Sequence, residues 1–250
     1  MREQDSGIEG IIESLDRIVV ETKAENSPLG YFAALYRKVT AQVKADIADG
    51  LFEDNARMER LDVIFANRYL AAYDAFRAGG TSTRAWALAF GAERQWWPIV
   101  LQHLLLGMNA HINLDLGIAA ARTAPGGQIA ALKGDFERIN SVLSGLVGEV
   151  QAELTQVWPL LRFLKTSSGS AGDSLINFSL EKARDAAWDV ARRLAPLDGE
   201  AQEREIARLD DRVTAVGRLV RYPGSYGRWI TRLVRLGERG TVASRIAILE

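Results

Sequence analysis

The chain has no cysteine and only two histidines, His103 and His111, among its 250 residues. The absence of cysteine excludes disulfide bonds, thiolate nucleophiles and cysteine-ligated metal sites. Any imidazole chemistry must therefore use one of the two histidines. The first residues also lack the basic start, apolar stretch and cleavage site of a secretory signal, so we expect a cytoplasmic protein.

The sequence has no excess of either charge and no long hydrophobic run. Its 31 basic and 32 acidic side chains nearly cancel, so we expect no nucleic-acid partner. The longest nearly uninterrupted apolar window, around residues 99–106, is far shorter than the roughly 20 residues that a membrane span needs. A basic segment near the end of the chain is compatible with an acidic partner, a membrane surface or a solvated helix face. It contains Arg221, Arg228, Arg232, Arg235 and Arg239.

Strand-like alternation is rare, whereas apolar residues recur at helical spacing from end to end. We predict an all-α, single-domain multi-helix bundle, with more than half of the residues in α-helix and no sheet of three or more strands. Its expected parts are an N-terminal helical extension at 1–27, a core domain at 28–222 and a basic helical segment at 223–250. Helices are predicted over about 28–48, 55–77, 96–122, 127–157, 173–195, 200–220 and from 224, with the sequence SSGSAGD at 167–173 as a flexible loop.

One predicted helix carries polar residues among leucines, in the sequence QHLLLGMNAHINLDLG at 102–117. At about 100° per residue, His103, His111 and Asp115 lie along one stripe, and Asn109 and Asn113 lie along a second. Leucines surround both stripes. We therefore expect a buried central helix whose polar groups need neighbours, water or a ligand as partners.

The spacing of the motif limits which residues can act together. His111 and Asp115 are about 6 Å apart along the helix axis, so they could form a hydrogen-bonded pair or bind one metal ion. His103 is about 12 Å from His111 along the axis, too far for both to bind one ion unless Gly107 interrupts the helix.

A metal site would need a third ligand from outside the motif. Since no free histidine remains, that ligand would be a carboxylate such as Asp62 or Glu59, in a site suited to zinc, manganese or magnesium. The candidate metal ligands are thus His111, Asp115 and Asp62. The alternative is a structural hydrogen bond between His111 and Asp115.

The motif resembles a bacterial and fungal family of uncharacterised proteins, domain of unknown function 5995. The resemblance spans most of residues 28–220 and includes GYFAALYRKVT at 30–40, FEDNARMERLDVIFANRYLAAYDAF at 52–76 and FSLEKARDAAWDVARRL at 178–194. It implies an all-helical fold but no reaction. The distinctive polar residues that it implies are Asp62, Arg68, His103, Asn109, His111, Asn113 and Asp115.

These observations leave three functions open. The first is a small-molecule enzyme, hydrolase-like or with other acid–base chemistry, whose candidate catalytic residues are His111, Asp115 and His103. The second is a non-catalytic small-molecule binding module, and the third is a structural or interaction protein whose motif is a buried hydrogen-bond network. A homo-oligomer is compatible with each. The candidate ligand-binding residues are Asn109, Asn113, Asp62, Arg68 and Tyr69.

A pocket around the motif would require its polar side chains to lie close together. His111 and Asp115 should lie within about 6 Å of each other and of Asp62 or Arg68, because residues four apart share one side of a helix.

Overall fold

The structure, a computed structural model, describes residues 7–158 and 170–250. Within these ranges the chain is built of α-helices and contains no β-strand, which confirms the all-α prediction. The α-helices are α1 Ile8–Glu25, α2 Gly30–Ala48, α3 Asn55–Arg77, α4 Arg84–Phe90, α5 Val100–Ala110, α6 Gly117–Thr123, α7 Lys133–Val157, α8 Ser170–Leu194, α9 Gly199–Arg221, α10 Gly224–Gly237 and α11 Val242–Leu249. Short 3₁₀ helices lie at Gly91–Arg94 and Gly126–Leu132, and a π-helical turn spans His111–Leu116.

α5, the π-helical turn and α6 form one continuous central helix, Val100–Thr123, as the motif predicts. α2, α3, α4, α8 and α9 pack around it. With a mean hydropathy of 1.3, this helix is long and apolar enough to cross a membrane, but 78% of its apolar window is buried inside the protein. Its burial is that of a core helix.

The central helix begins four residues later than predicted, at Val100 instead of Trp96. Pro98 disfavours helical backbone in the residue before it, which moves the start of the helix beyond the proline. The first amide groups of the helix are satisfied by side chains. Ile99 N donates to Gln102 Oε1 at 3.3 Å, and Val100 N donates to Glu238 Oε1 at 2.7 Å.

Both end segments of the chain pack on the core. α1 contributes Ile11, Leu15 and Ile18 to the main hydrophobic cluster, and α11 contributes Ile246 and Leu249. The predicted boundary at residue 27 therefore does not separate α1 from the core. The predicted loop at 167–173 is helical over 170–173, and its first three residues lie outside the described part of the chain.

The short helix α4 is held at both ends by α9. Asp210 of α9 accepts hydrogen bonds from Arg84 N at 2.7 Å and Ala85 N at 2.9 Å. Eleven residues later, Arg221 donates to the carbonyl oxygens of Leu88 and Gly91, both at 2.8 Å. A carboxylate at the N-terminus and a guanidinium at the C-terminus complement the helix dipole, so α9 fixes the position of α4.

Replacing Asp210 with alanine should destabilise the protein. The Asp210→Ala substitution leaves two backbone amide groups of α4 without an acceptor, and we expect the free energy of unfolding to fall by about 1–3 kcal/mol. The neighbouring Asp211 is exposed, and its ion pair is with the exposed Arg84 side chain. Asp211→Ala should therefore cost about 0.5 kcal/mol or less in urea unfolding experiments. Equal losses in the two variants would contradict this account of α4.

Candidate functional site

The Asp115 carboxylate is fully buried and meets side chains from three helices. Arg68 Nε donates to Oδ1 at 2.6 Å, and Trp86 Nε1 donates to Oδ2 at 2.7 Å. His111 Nδ1 lies 3.5 Å from the same Oδ2. The predicted closeness of His111, Asp115 and Arg68 is therefore present, and α3, α4 and the central helix meet at this one carboxylate.

The surroundings of Asp115 determine the protonation of His111. Burial would raise the pKa of Asp115, but the Arg68 charge and the hydrogen bonds from His111 and Trp86 together hold that pKa below its usual value. Burial lowers the pKa of His111, although Asp115 opposes the change. At neutral pH an ionised carboxylate thus faces a neutral imidazole. Because a carboxylate only accepts hydrogen bonds, we assign the imidazole proton to Nδ1, which leaves Nε2 as an acceptor.

The backbone at this pair is π-helical over His111–Leu116, not the regular α-helix that the sequence predicts. A single π-helical turn inside an α-helix often marks a functional site. Both His111 and Asp115 lie within the turn. The hydrogen-bonded pair therefore coincides with the local departure from α-helical geometry.

Gly107 and Gly117 flank the pair and allow neighbouring helices to approach closely. A Cβ atom at Gly107 would lie 2.4 Å from the Phe32 ring, and one at Gly117 would lie 2.8 Å from the Ala187 carbonyl oxygen. Gly107 does not interrupt the helix; it admits Phe32, whose ring centroid is 5.7 Å from that of His111.

A cavity of about 400 Å³ adjoins His111. Its walls are almost entirely apolar, and its volume lies in the range of roughly 300–1,000 Å³ found for small-molecule pockets. Leu101 and Leu105 line it and are each 40% exposed, so they mark where the cavity reaches the surface. Apolar side chains from α2, α3, the central helix and α7 form the walls, among them Leu35, Leu61, Leu104, Met108, Val150 and Leu154.

Three buried polar atoms belong to residues that line this apolar cavity: the Tyr36 hydroxyl, Asp62 Oδ2 and His111 Nε2. Within the described residues Asp62 Oδ2 and His111 Nε2 have no hydrogen-bond partner, whereas the Tyr36 hydroxyl interacts with the Thr40 side chain. A buried polar atom without a partner is costly, typically by about 1–3 kcal/mol, so two such atoms on residues that line one cavity indicate a site for a ligand or for water.

The environment of Asp62 differs from that of Asp115. Burial, with a smaller effect from the charge of Glu59, raises the pKa of Asp62 to about 7. Burial and the nearby Asp62 carboxylate raise the pKa of Tyr36 well above its usual value. The cavity therefore contains a carboxyl group that exchanges its proton near neutral pH and a hydroxyl that keeps its proton.

Aromatic rings fix the orientation of the His111 imidazole. Phe65 stacks on it with 3.6 Å between ring centroids and 8° between ring planes. Tyr36 meets it edge to face, with 4.4 Å between centroids. The ring is thus held by packing as well as by the Asp115 carboxylate.

Arg184 adds a cation to the wall of the cavity. Its Nη2 donates to the Phe136 carbonyl oxygen at 2.6 Å, and its guanidinium lies 4.7 Å from the centroid of the Phe136 ring. Burial lowers the pKa of Arg184 to about 10. The guanidinium therefore stays charged at neutral pH.

A second, polar groove of about 520 Å³ borders Asp115. Arg68, Arg122 and residues 81–83 also line it. Because Asp115 borders the groove and His111 borders the apolar cavity, the hydrogen-bonded pair joins the two spaces.

The asparagines of the motif hold helices together. Asn109 Nδ2 donates to the Val213 carbonyl oxygen of α9 at 3.0 Å, and Asn113 Nδ2 donates to Asn109 Oδ1 at 3.0 Å. Tyr69 is buried among aromatic rings, 5.2 Å from Trp86 between centroids. Among the described residues that line either cavity, Asn109, Asn113 and Tyr69 do not appear. The structure thus gives these three predicted ligand-binding residues packing roles.

His103 lies apart from the other predicted catalytic residues. Its ring is buried edge to face against Tyr31, with 5.7 Å between centroids. Burial, with help from the charges of Arg235 and Arg221, lowers the pKa of His103 to about 3. It is not among the described residues that line the apolar cavity, so the structure does not bring the two histidines to one site.

The predicted metal site is not assembled. In the part of the chain that the structure describes, no group of three or more His, Asp or Glu side chains could hold a metal ion. The structure therefore does not bring His111, Asp115 and Asp62 together as one set of metal ligands. The reason is that the oxygens of Asp115 already accept hydrogen bonds from Arg68 and Trp86.

Two residues of the site were missed by the sequence reasoning, Trp86 and Tyr36. The sequence held one signal for Trp86. A buried indole N–H usually donates to an acceptor, and no other side chain of the segment RAWALAF at 84–90 is an acceptor, so a partner from another helix was to be expected. Tyr36 sits among apolar residues of a helix and had no such signal.

A protein-family model matches most of the chain. The DUF5995 model, described as a family of unknown function, matches residues 8–223. No curated protein and no solved structure matches the chain. The matched range begins in α1, contains all the residues described above as lining the two cavities, and ends before α10.

The Asp62→Asn substitution should remove a pH dependence of stability. The folded-state pKa of about 7 lies above the ordinary value of 3.8, so the fold favours the protonated carboxyl group. Stabilisation from this group is complete below about pH 4 and is lost as the pH rises to about 7, a loss of roughly 4 kcal/mol by linkage. Asparagine stays neutral, so Asp62→Asn should be more stable than the wild type at about pH 8 in urea unfolding.

Glu59→Gln is the matched control, because it removes a carboxylate one helical turn away. This variant should keep most of the wild-type loss of stability between about pH 4 and pH 7. If Asp62→Asn and the wild type lose stability in parallel over that interval, the assigned pKa of Asp62 is wrong.

Proposed function

Because the chain belongs to the DUF5995 family, whose function is unknown, we propose a function from the geometry of the site. The protein is proposed to be an acid–base enzyme that acts on a largely apolar small molecule carrying a carbonyl or hydroxyl group. The observation that carries the proposal is the apolar cavity whose lining includes Tyr36 and two residues with unpartnered polar atoms, Asp62 and His111.

His111 is the proposed base. His111 lines the cavity and its Nε2 has no hydrogen-bond partner among the described residues, while its Nδ1–H is directed to the Asp115 carboxylate. When Nε2 takes a proton, the resulting imidazolium is stabilised by the ionised Asp115, as in hydrolases that pair histidine with a carboxylate. Arg68 and Trp86 keep Asp115 ionised and fixed in place.

Asp62 is the proposed acid. Its pKa of about 7 allows it to hold a proton at neutral pH and to release it readily, as general acid catalysis requires. Tyr36 can donate a hydrogen bond to the substrate oxygen from the same cavity. With these groups the site can remove a proton next to a carbonyl group or activate water for hydrolysis.

The apolar walls determine the kind of substrate. A molecule that is polar over most of its surface would lose hydration against these walls with few groups to replace it, whereas a hydrocarbon chain gains from burial. One oxygen function on that chain would satisfy Asp62, Tyr36 and His111. A medium-chain ester, aldehyde or alcohol fits this description.

Binding can be tested with the fluorescent apolar probe N-phenylnaphthylamine, displaced by dodecanol. Leu105 is half exposed at the mouth of the cavity, so Leu105→Trp should block binding without disturbing the core. Val216→Trp is the matched control, since Val216 is comparably exposed but does not line the cavity. It should bind the probe as the wild type does.

Catalysis is then tested with p-nitrophenyl octanoate. We expect His111→Gln to keep probe binding but to lower the rate of ester hydrolysis at least about 100-fold. The rate should fall above about pH 7, where Asp62 loses its proton. Probe binding without His111-dependent turnover would favour a binding module, and failure of the wild type to bind the probe would refute the site.

A further inference from the structure

The basic helix α10 presents an apolar stripe to solvent. Trp229, Leu233 and Leu236 are 59%, 49% and 79% exposed. They are spaced i, i+4 and i+7, so they lie within about 60° of one another around the helix. Large apolar side chains that are exposed together in this way mark an interaction surface.

Arginines flank this stripe. Arg228 and Arg232 are exposed and fall on one side of it by the same helical geometry. Residues 224–237 contain no acidic residue, so nothing within the helix neutralises their charge. Arginine beside an exposed row of tryptophan and leucine is the pattern of a helix that lies in a membrane interface.

α10 is attached to the protein at its C-terminal end. Arg235 Nε donates to the Trp96 carbonyl oxygen at 3.0 Å, and Arg235 Nη1 donates to Glu238 Oε2 at 2.6 Å. Among the closely packed helix pairs of the described residues, none includes α10. The helix is therefore held at the molecular surface with its apolar stripe uncovered.

We propose that α10 binds the surface of an anionic phospholipid bilayer, with Trp229, Leu233 and Leu236 in the interface and Arg228 and Arg232 at the lipid phosphates. Charge decides between this occupant and a second copy of the chain. A two-fold interface through α10 would bring Arg228 and Arg232 of one copy close to those of the other, and this repulsion is unfavourable. An anionic bilayer instead attracts both arginines.

The position of α10 relates this surface to the apolar cavity. Glu238, at the end of α10, accepts a hydrogen bond from Val100 N, the first residue of the central helix. Leu101 follows directly and lines the cavity, and the nearby Trp96 is exposed. Membrane binding would thus bring the cavity mouth near lipid, although binding by α10 does not depend on what the cavity holds.

Co-sedimentation of the full chain with vesicles tests the proposal. We expect binding to phosphatidylcholine mixed with phosphatidylglycerol at about two to one, and little binding to phosphatidylcholine alone. The double variant Arg228→Gln/Arg232→Gln should bind at least about tenfold more weakly, and so should Leu233→Asn/Leu236→Asn. All four side chains are exposed, so these changes should leave folding intact, which circular dichroism can verify.

Two controls match the changes in charge and in apolar surface. Arg204→Gln/Arg208→Gln removes two exposed arginines from α9, and Val20→Asn removes an exposed apolar side chain from α1. Both should bind vesicles within about twofold of the wild type. If Arg204→Gln/Arg208→Gln weakens vesicle binding as much as Arg228→Gln/Arg232→Gln does, overall charge explains the effect and the assignment to α10 is wrong. A wild-type dimer lost in Leu233→Asn/Leu236→Asn, without vesicle binding, would show that the stripe joins two copies.

Discussion

A buried, ionised carboxylate at Asp115 is the constraint on which the site depends. Such a group is stable inside a protein only if nearby donors and a cation replace water, and here Arg68, Trp86 and His111 do so. These donors come from α3, α4 and the central helix, so satisfying one charge fixes three elements relative to one another. The same contact sets the imidazole proton on Nδ1 and leaves Nε2 as an acceptor without a partner among the described residues.

Asp62 shows what the same side chain does without such compensation. It is buried at an apolar cavity, and its pKa rises to about 7, whereas the Arg68 charge and the other donors keep the pKa of Asp115 low. These two buried carboxyl groups thus differ in protonation because only Asp115 has a cation beside it. Enzymes that use one carboxyl group as an acid and another in ionised form separate them in this way. Asp62 and Asp115 are therefore suited to different roles.

The sequence predicted the parts of the fold and site that follow from helical spacing. The bounds of α3 and the pairing of His111 with Asp115 depend only on residues close in the chain, and both are confirmed. The cavity depends on how α2, α3, α7 and the central helix pack, and no local pattern encodes that. For the same reason Trp86 and Tyr36 were missed, and Asn109, which bonds to the backbone of α9, was grouped with ligand-binding residues.

The tautomer of His111 tests the central claim most directly. With only two imidazoles in the chain, nitrogen-15 NMR can assign each ring, and His111→Gln identifies the signals of His111. At neutral pH we predict a neutral His111 ring with the proton on Nδ1, and an Nε2 signal that shifts when dodecanol is added. A ring protonated on Nε2, or an imidazolium that does not respond to dodecanol, would contradict the assignment of His111 as an oriented base facing an apolar ligand site.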